Sequence, residues 1–277
     1  MTGYTARERR DLIVEQTLSS GLSSVDELSS RFEVTPSTIR RDLARLTANG
    51  RLARTYGGVI AGSTGEPSLR QRLGEAHEAK TAIARTAADA VSDGDVLLLD
   101  AGSTVGALAH ELGRRDPSDL TVATVSLTVL DELSESDVTV ECLGGRLRRL
   151  SQGFYGPLAE AALERISADA VFLGTDGVSG DGEICEADLA QTRLKELMAR
   201  RADRVHVLAH GTKIGSRPYH ACLRLPTPWT LITDSTAPSA HLERLERLGV
   251  TIMVAGSSAE PTAHSDGLGR LPDRPLR

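Results

Sequence analysis

The stretch VTPSTIRRDL, residues 34–43, decides the fold of the amino-terminal part of the chain. Thr35 can cap a helix, and Pro36 suits the first helical position because no amide donor is needed there. Apolar residues then recur at the i, i+4 and i+7 positions of one face, at Ile39, Leu43 and Leu46. This spacing predicts a helix that packs one apolar face on a small core.

The other face of the same helix has the chemistry of a DNA-reading surface. Short hydroxyls and adjacent arginines suit base edges and phosphates. These candidate DNA contacts are Thr35, Ser37, Thr38, Arg40 and Arg41.

The flanking residues complete a winged helix-turn-helix pattern. A first helix is predicted from Thr5 to Ser19, and a capping box at residues 24–27 starts a second. The third helix ends near Asn49-Gly50, and residues 51–59 indicate two short strands of a wing that carries Arg54. We assign residues 1–60 to a winged helix-turn-helix DNA-binding domain. A three-helix bundle with merely solvated arginines fits the same spacing.

The charge distribution supports DNA binding. The 277 residues carry a net charge of -6, but residues 1–58 hold nine arginines, no lysine and seven acidic residues. Residues 1–58 are therefore cationic while the rest of the chain is acidic, as suits an amino-terminal module that contacts phosphates.

Cysteine usage and hydropathy indicate a soluble cytoplasmic protein. Cys142, Cys185 and Cys222 lack paired spacing, which argues against a disulfide framework and a zinc site and favours reduced thiols. No apolar run approaches the ~20 residues of a membrane span, and residues 1–10 lack the apolar core of a signal peptide.

The remainder of the chain predicts an α/β domain. Residues 61–66 form a small flexible linker, and a long helical stretch is expected over 67–91. Seven short apolar runs then alternate with helical segments, which predicts a mostly parallel sheet within a domain over 67–256. The runs cover 96–100, 120–124, 138–143, 170–174, 204–209, 230–233 and 250–254. Residues 257–277 are expected to form a disordered tail.

One loop of this domain resembles a phosphate cradle. An apolar run ends at Asp100, and Gly102, Ser103 and Thr104 then open a helix whose amides and hydroxyls could hold a phosphate. A plain strand-to-helix turn has the same pattern. The spacing matches neither a Walker loop nor a dinucleotide fingerprint, so no nucleotide cofactor is expected.

Further candidates lie where the strands should end, at the expected crevice of an open α/β sheet. They are Gly144, Arg146, Asp176 and Lys213. Lys213 is one of only three lysines in the chain, although a solvated loop charge is an equal reading. Asp176 is equally well read as a turn former.

The amino-terminal motifs resemble the DeoR family of bacterial transcription regulators. The resemblance runs from about Thr5 to Val59 and rests on Thr-x-x-Thr-Ile-Arg-Arg-Asp-Leu followed by Gly-Arg-Leu-Ala-Arg and Gly-Gly. It implies DNA binding, and it places Tyr56 at a wing contact where the family usually has His.

The rest of the chain resembles that family's effector domain, whose fold is similar to ribose-5-phosphate isomerase. The matching pieces include Glu66, Arg72, Lys80, residues 100–104, Gly144-Gly145, Asp176-Gly177 and Lys213. The resemblance implies a phosphorylated sugar or related effector and adds Lys80 to the candidate pocket. Val125 replaces a usual Asn, and His210 replaces a usual Asp with a group that titrates near neutrality.

We therefore expect a repressor of carbohydrate-metabolism genes that acts as a homo-oligomer, dimer or tetramer, and changes operator affinity when effector reorients its domains. We expect no enzyme. Two alternatives stay open at this point. A sugar-phosphate isomerase-like enzyme could use Lys213, Asp176 and Glu186 as acid-base groups. A DNA-binding protein without any ligand is the other.

Overall fold

The computed structural model describes residues 4–20, 23–48, 52–55, 58–61 and 66–256. Tyr56, linker residues 62–65 and the tail from residue 257 lie outside the described residues, as does the side chain of Arg54. The expectations for these positions stay predictions.

The amino-terminal domain has the expected winged helix-turn-helix architecture. Its three helices are α1 (Ala6–Ser20), α2 (Val25–Phe32) and α3 (Pro36–Ala48). Its strands are β1 (Ser23–Ser24), β2 (Leu52–Thr55) and β3 (Gly58–Ala61). They form one antiparallel sheet in the order β1-β3-β2.

The predicted caps and apolar face position α3. The Thr35 hydroxyl accepts a hydrogen bond from the Thr38 amide, with 3.3 Å between oxygen and nitrogen. A capping box between Ser24 and Glu27 starts α2. Among the side chains that the structure describes, seven apolar ones form the core of this domain: Ile13, Val14, Leu28, Phe32, Ile39, Leu43 and Leu46. Burial of the i, i+4, i+7 face therefore holds α3 against α1 and α2, as its spacing predicts.

All seven predicted apolar runs are strands of one sheet. They are β4 (Val96–Leu99), β5 (Thr121–Thr124), β6 (Thr139–Cys142), β9 (Ala168–Gly174), β12 (Ala202–Leu208), β14 (Trp229–Asp234) and β15 (Val250–Ala255). Every neighbouring pair is parallel, in the order β15-β14-β12-β9-β4-β5-β6. The prediction of a mostly parallel sheet is confirmed.

Helices cover both faces of this sheet. They are α4 (Leu69–Gly74), α5 (His77–Ala88), α6 (Ser103–Arg115), α7 (Leu127–Leu133), α8 (Pro157–Leu163), α9 (Leu189–Arg200) and α10 (Ser239–Arg247). Leu97 and Leu99 pack with α5 to α7, whereas Leu98 packs with α8 to α10. Because successive strand residues alternate between two buried faces, the strands read as continuous apolar runs.

The prediction of a single long helix over residues 67–91 is wrong, because the structure has two helices there. The first helix, α4, ends at Gly74, and Ala76 takes a left-handed conformation with φ of 48° before α5 begins. Helical propensity on both sides hides the break in the sequence, although Gly74 is the residue type that most often ends a helix. The break puts the Arg72 and Glu75 carbonyl oxygens within reach of the Lys80 side chain.

Two small sheets were not predicted. The strands β7 (Arg146–Arg148) and β8 (Gly153–Tyr155) form an antiparallel ribbon. The strands β10 (Gly177–Val178), β11 (Glu183–Glu186) and β13 (Ala221–Arg224) form an antiparallel sheet in the order β10-β11-β13. The strand β12 lies between β11 and β13 in the chain but belongs to the large sheet.

The expectation of three reduced thiols is wrong for two of the cysteines. Cys185 of β11 lies directly opposite Cys222 of β13, with Cα atoms 4.1 Å apart, and the two form a disulfide. They are 37 residues apart in the chain, so strand register and not local spacing brings them together. Cys142 is a free, exposed thiol.

Candidate effector site and nucleic-acid interface

The exposed face of α3 carries the residues expected to contact DNA. Arg40 and Arg41 are exposed, as are Thr35 and Ser37, and Thr38 is half-buried. The Thr35 hydroxyl lies 2.9 Å from the hydroxyls of both Ser37 and Thr38. These three hydroxyls therefore form one cluster at the start of the helix.

Asp42 of the same motif has a different role, which sequence reasoning missed. It is buried, and its Oδ2 atom accepts from Arg9 Nε of α1 at 2.7 Å. Arg10 Nη1 lies 3.6 Å from the other carboxylate oxygen. The contact ties α3 to α1. Its signal in the sequence is an acid on the helix face that carries Ile39, Leu43 and Leu46.

The wing is described only by its backbone. Arg54 of β2 pairs with Val59 of β3. The contacts expected of the Arg54 and Tyr56 side chains stay predictions.

A polar cavity of about 90 Å³ lies beside the α4–α5 break. It brings together three of the predicted site residues, Lys80, Asp176 and Lys213, from α5, the loop after β9 and the loop after β12. Arg72, Glu75, His210 and Tyr219 also line it. The segments that follow the parallel strands meet here, as expected for the crevice of an open α/β sheet.

The break between α4 and α5 holds Lys80. Its Nζ donates to the carbonyl of Glu75 at 2.7 Å and to that of Arg72, so the free carbonyl end of α4 positions the ammonium group. Burial lowers the pKa of Lys80 to about 8, and the positive charge of Lys213 acts in the same direction.

A tight loop after β12 holds Lys213. Asp234 Oδ1 accepts the Gly211 amide at 2.6 Å, and a Cβ at position 211 would lie 2.3 Å from the Ala237 nitrogen, so only glycine fits. Lys213 Nζ donates to the Thr175 carbonyl at 2.6 Å. Burial lowers the pKa of Lys213, and the Asp176 carboxylate opposes this shift.

The arginines of the site are paired with carboxylates, in contrast to these two lysines. Arg72 Nη1 lies 3.2 Å from Asp176 Oδ1, and its Nη2 lies 3.8 Å from Glu66. Arg148 donates to both oxygens of Glu66, with Nη1 at 2.8 Å from Oε1. Within the described part of the chain, no carboxylate forms an ion pair with Lys80 or Lys213.

His210 does not titrate near neutrality, contrary to the expectation from its residue type. Burial lowers its pKa to about 4, and the charges of Lys213 and Lys80 contribute. Its Nδ1 atom lies 2.9 Å from the Thr212 hydroxyl. His210 is therefore a neutral group in the cavity wall at pH 7.

Asp100 belongs to a buried charge cluster that sequence reasoning missed in part. Lys195 of α9 lies 2.5 Å from Asp100 Oδ2 and 3.1 Å from Glu186 Oε1 and donates to the Gly174 carbonyl at 2.6 Å. Burial raises the pKa of Glu186 to about 8 despite Lys195. Burial favours the neutral amine of Lys195, but the Asp100 and Glu186 carboxylates outweigh it and raise the pKa of Lys195.

The remaining predicted pocket residues do not line this cavity. Ser103 and Thr104 are buried at the start of α6, after Gly102 with its φ of 145°. Gly144 takes a φ of 71° before β7, and Arg146 is exposed. Arg148, two residues further on, is the arginine of this ribbon that reaches the Glu66 network.

A winged helix-turn-helix in front of an α/β domain with a polar cavity defines a DNA-binding transcriptional regulator with a ligand-sensing domain. A model of the DeoR-like helix-turn-helix domain matches residues 9–64, and a model of the DeoR C terminal sensor domain matches residues 75–235. The chain belongs to the DeoR family.

Two transcription regulators agree with this assignment. The chain is 34% identical over 250 residues to the HTH-type transcriptional regulator GlpR of Haloferax volcanii, covering 89% of this chain and 96% of the relative. It is 28% identical to the lactose phosphotransferase system repressor of Streptococcus mutans, covering 82% and 91%. A ribose 5-phosphate isomerase A from Methanocaldococcus jannaschii matches with a TM-score of 0.38 and 18% identity, over 50% of this chain and 54% of that one.

None of the helices that the structure describes is long and apolar enough to cross a membrane.

Proposed function

We propose that this regulator represses carbohydrate-metabolism genes and that a phosphorylated sugar or a related anionic metabolite relieves or changes its operator binding. One observation carries the choice of an anion. Lys80 and Lys213 line the same cavity, and within the described residues both are held only by backbone carbonyls. The relative named as a lactose phosphotransferase system repressor supports the link to sugar uptake and the sign of regulation.

The electrostatics favour a phosphate at this place. A buried ammonium group is costly without a counter-charge, and two that share a cavity repel each other. A phosphate would supply the missing negative charge and raise the pKa of both lysines. Arg72 lines the cavity too, but Asp176 and Glu66 already neutralise its charge.

We propose that the output runs through a homo-oligomer in the cytoplasm. Helix-turn-helix dimers read two half-sites, so effector binding can act by changing the spacing of paired winged helices. A coupling of ~1–3 kcal/mol would change operator affinity roughly 5- to 150-fold. Thr35, Ser37, Thr38, Arg40, Arg41, Arg54 and Tyr56 are the proposed DNA contacts.

We propose further that the cavity senses and does not catalyse. Two of the acid-base groups that an isomerase could use are engaged, since Asp176 is paired with Arg72 and Lys213 donates to a backbone carbonyl. Turnover of ribose 5-phosphate that disappears in Lys213→Ala would contradict this reading.

Ligand-induced stabilisation tests the effector site. A sugar phosphate at 100 times its dissociation constant should stabilise the folded protein by about 2.7 kcal/mol. Lys80→Ala and Lys213→Ala should each abolish most of that shift, whereas Arg200→Ala, which removes a cation that is 61% exposed on α9, should keep it. An unchanged shift in both lysine variants would remove the anion site.

Operator binding tests the DNA face. Arg40→Ala should weaken binding by about 1–3 kcal/mol at one base position if Arg40 reads a base. If Arg40 contacts phosphate, the loss should be uniform across sequences and the salt dependence should fall by about one counterion. If Arg40→Ala keeps both the operator affinity and the salt dependence of the wild type, Arg40 does not contact DNA.

A further inference from the structure

A second, smaller cavity lies where the loop after β4 meets the β7–β8 ribbon and α9. Its volume of about 10 Å³ is close to the minimum that holds one water molecule. Ser151 and Gln191 line it, together with the charged Asp100 and Arg148 and the apolar Val125 and Leu194.

The polar atoms of this cavity have no partner in the protein. Ser151 is 2% exposed, yet its hydroxyl forms no hydrogen bond with any residue that the structure describes. The buried Gln191 Oε1 atom is in the same condition. Nearly all buried polar groups in proteins are hydrogen-bonded, because an orphaned one costs free energy. Two orphans in one cavity indicate a group that the polypeptide does not supply.

A hydroxyl fits both orphans, because it can donate to the Gln191 carbonyl oxygen and accept from the Ser151 hydroxyl. An ionised carboxylate or phosphate oxygen has no proton to donate to Gln191 Oε1. Asp100 is already paired with Lys195, and Arg148 also lies in the wall, so the positive charge present disfavours an ammonium group. Val125 and Leu194 offer an apolar surface for the carbon that bears the hydroxyl. With the amide of Gln191 in the opposite orientation, a hydroxyl could still pair as the acceptor.

We propose that this second cavity binds one hydroxyl group of the effector and that Ser151 and Gln191 determine specificity for a polyhydroxylated ligand. The proposal rests on the proposed function, in which the anionic end of the same molecule binds Lys80 and Lys213. The two cavities share an ion-pair network, since Arg72 lines the first, Arg148 lines the second, and both contact Glu66.

The test compares three probes by titration calorimetry on the full chain: inorganic phosphate, glycerol 3-phosphate and ribose 5-phosphate. Ser151→Ala should lower the affinity for the hydroxylated probe that binds best by about five- to tenfold, the value of one hydrogen bond. It should leave the affinity for inorganic phosphate within about twofold. Lys213→Ala should weaken the binding of inorganic phosphate and of that hydroxylated probe alike. Ser134→Ala, at the exposed end of α7, should change the binding of neither.

A second variant guards against a folding defect. Removing an orphaned hydroxyl should leave the melting temperature of the unliganded protein unchanged or raised. Val125→Asn would put a polar amide into the wall of the same cavity, so it should lower affinity for the hydroxylated probe alone.

The failures are distinguishable. If Lys213→Ala weakens both probes while Ser151→Ala and Val125→Asn weaken neither, the hydroxyl subsite is wrong and the anion site stands. If no hydroxylated probe binds more tightly than inorganic phosphate, the subsite is also wrong. If Lys213→Ala changes neither probe, the anion site itself fails.

Discussion

Arg9 Nε and Nη2 each lie 2.7 Å from Oδ2 of Asp42, which fixes the first helix of the DNA-binding domain to the third. Both side chains are nearly buried, with 11% and 6% of their surface exposed. Asp42 follows directly on the exposed Arg40 and Arg41, so the ion pair anchors the same part of α3 that presents these arginines.

Breaking this pair should destabilise the DNA-binding domain. Asp42→Asn leaves the buried Arg9 guanidinium without a counter-charge, at an expected cost of about 3 kcal/mol, because half of a buried pair is worse than none. Hydrogen exchange should show loss of protection in α1 and α3 while the sheet domain stays protected, and operator binding should weaken. Asp26→Asn removes an exposed acid from α2 and is the control. Wild-type protection in Asp42→Asn would refute the role of the pair.

A buried histidine should make the sheet domain sensitive to acid. His206 stacks on Phe172 with ring centroids 4.8 Å apart, and within the described residues neither of its ring nitrogens has a hydrogen-bond partner. Burial lowers its pKa to about 4, and the charge of Arg204 adds to this. A folded pKa below the unfolded value of about 6.5 contributes stability above pH 6.5 that is lost as the pH falls towards 4, in total roughly 3 kcal/mol.

His206→Phe should therefore flatten the fall in the free energy of unfolding between pH 6.5 and 4. Urea denaturation at several pH values measures it, with His110→Gln on the surface as the control. His210 has a similarly lowered pKa and should account for part of the slope that remains. An identical acid slope in His206→Phe and wild type would contradict the prediction.

The disulfide should be detectable chemically and should stabilise the domain. Alkylation of the denatured, non-reduced protein should label Cys142 alone, and reduction should expose three thiols. Loop-closure entropy for a separation of 37 residues predicts a loss of about 3–4 kcal/mol on reduction or in Cys222→Ser. Cys142→Ser should lose nothing. Because reducing compartments keep most thiols reduced, the labelling should be done with and without reductant. Three labelled cysteines without reductant would show that the thiols are free.

Most of the fold could be predicted because its signals are local. The apolar runs of the parallel strands, the Ser24 capping box and the spacing of Ile39, Leu43 and Leu46 each lie within a few residues. The partners of side chains across the fold could not be predicted in this way. Nothing near Asp42 in the sequence points to Arg9, 33 positions away.

The site shows the same division. Lys80, Asp176 and Lys213 line one cavity, whereas the candidate Arg146 is exposed and Arg148 reaches the Glu66 network. These two arginines are two residues apart on one strand, so alternation puts them on the same face and cannot separate them. Lys195 resembles a solvated lysine in a helix. Its only signal was the scarcity of lysine, since all three lysines of the chain lie at the cavity or in the cluster of Asp100 and Glu186.

That cluster yields the most demanding prediction. Lys195 is 2% exposed and holds Asp100 and the Gly174 carbonyl, which join β4 and β9 to α9. Lys195→Met leaves the Asp100 charge buried and unpaired, so it should cost about 3–5 kcal/mol at pH 7. Arg200→Met, on the exposed side of the same helix, should cost little.

The pH dependence of the free energy of unfolding of Lys195→Met tests whether the unpaired Asp100 carboxylate causes the loss. A buried carboxylate without a counter-charge costs more than a neutral carboxyl group, so the deficit of Lys195→Met should be larger at pH 7 than at pH 5. Adding Asp100→Asn to Lys195→Met should recover part of the loss at pH 7, because an amide carries no charge to bury. Denaturant unfolding of both variants at pH 7 and pH 5 measures this. A deficit in Lys195→Met that is equal at the two pH values, and that Asp100→Asn leaves unchanged, would mean that lost packing and not the unpaired carboxylate causes it.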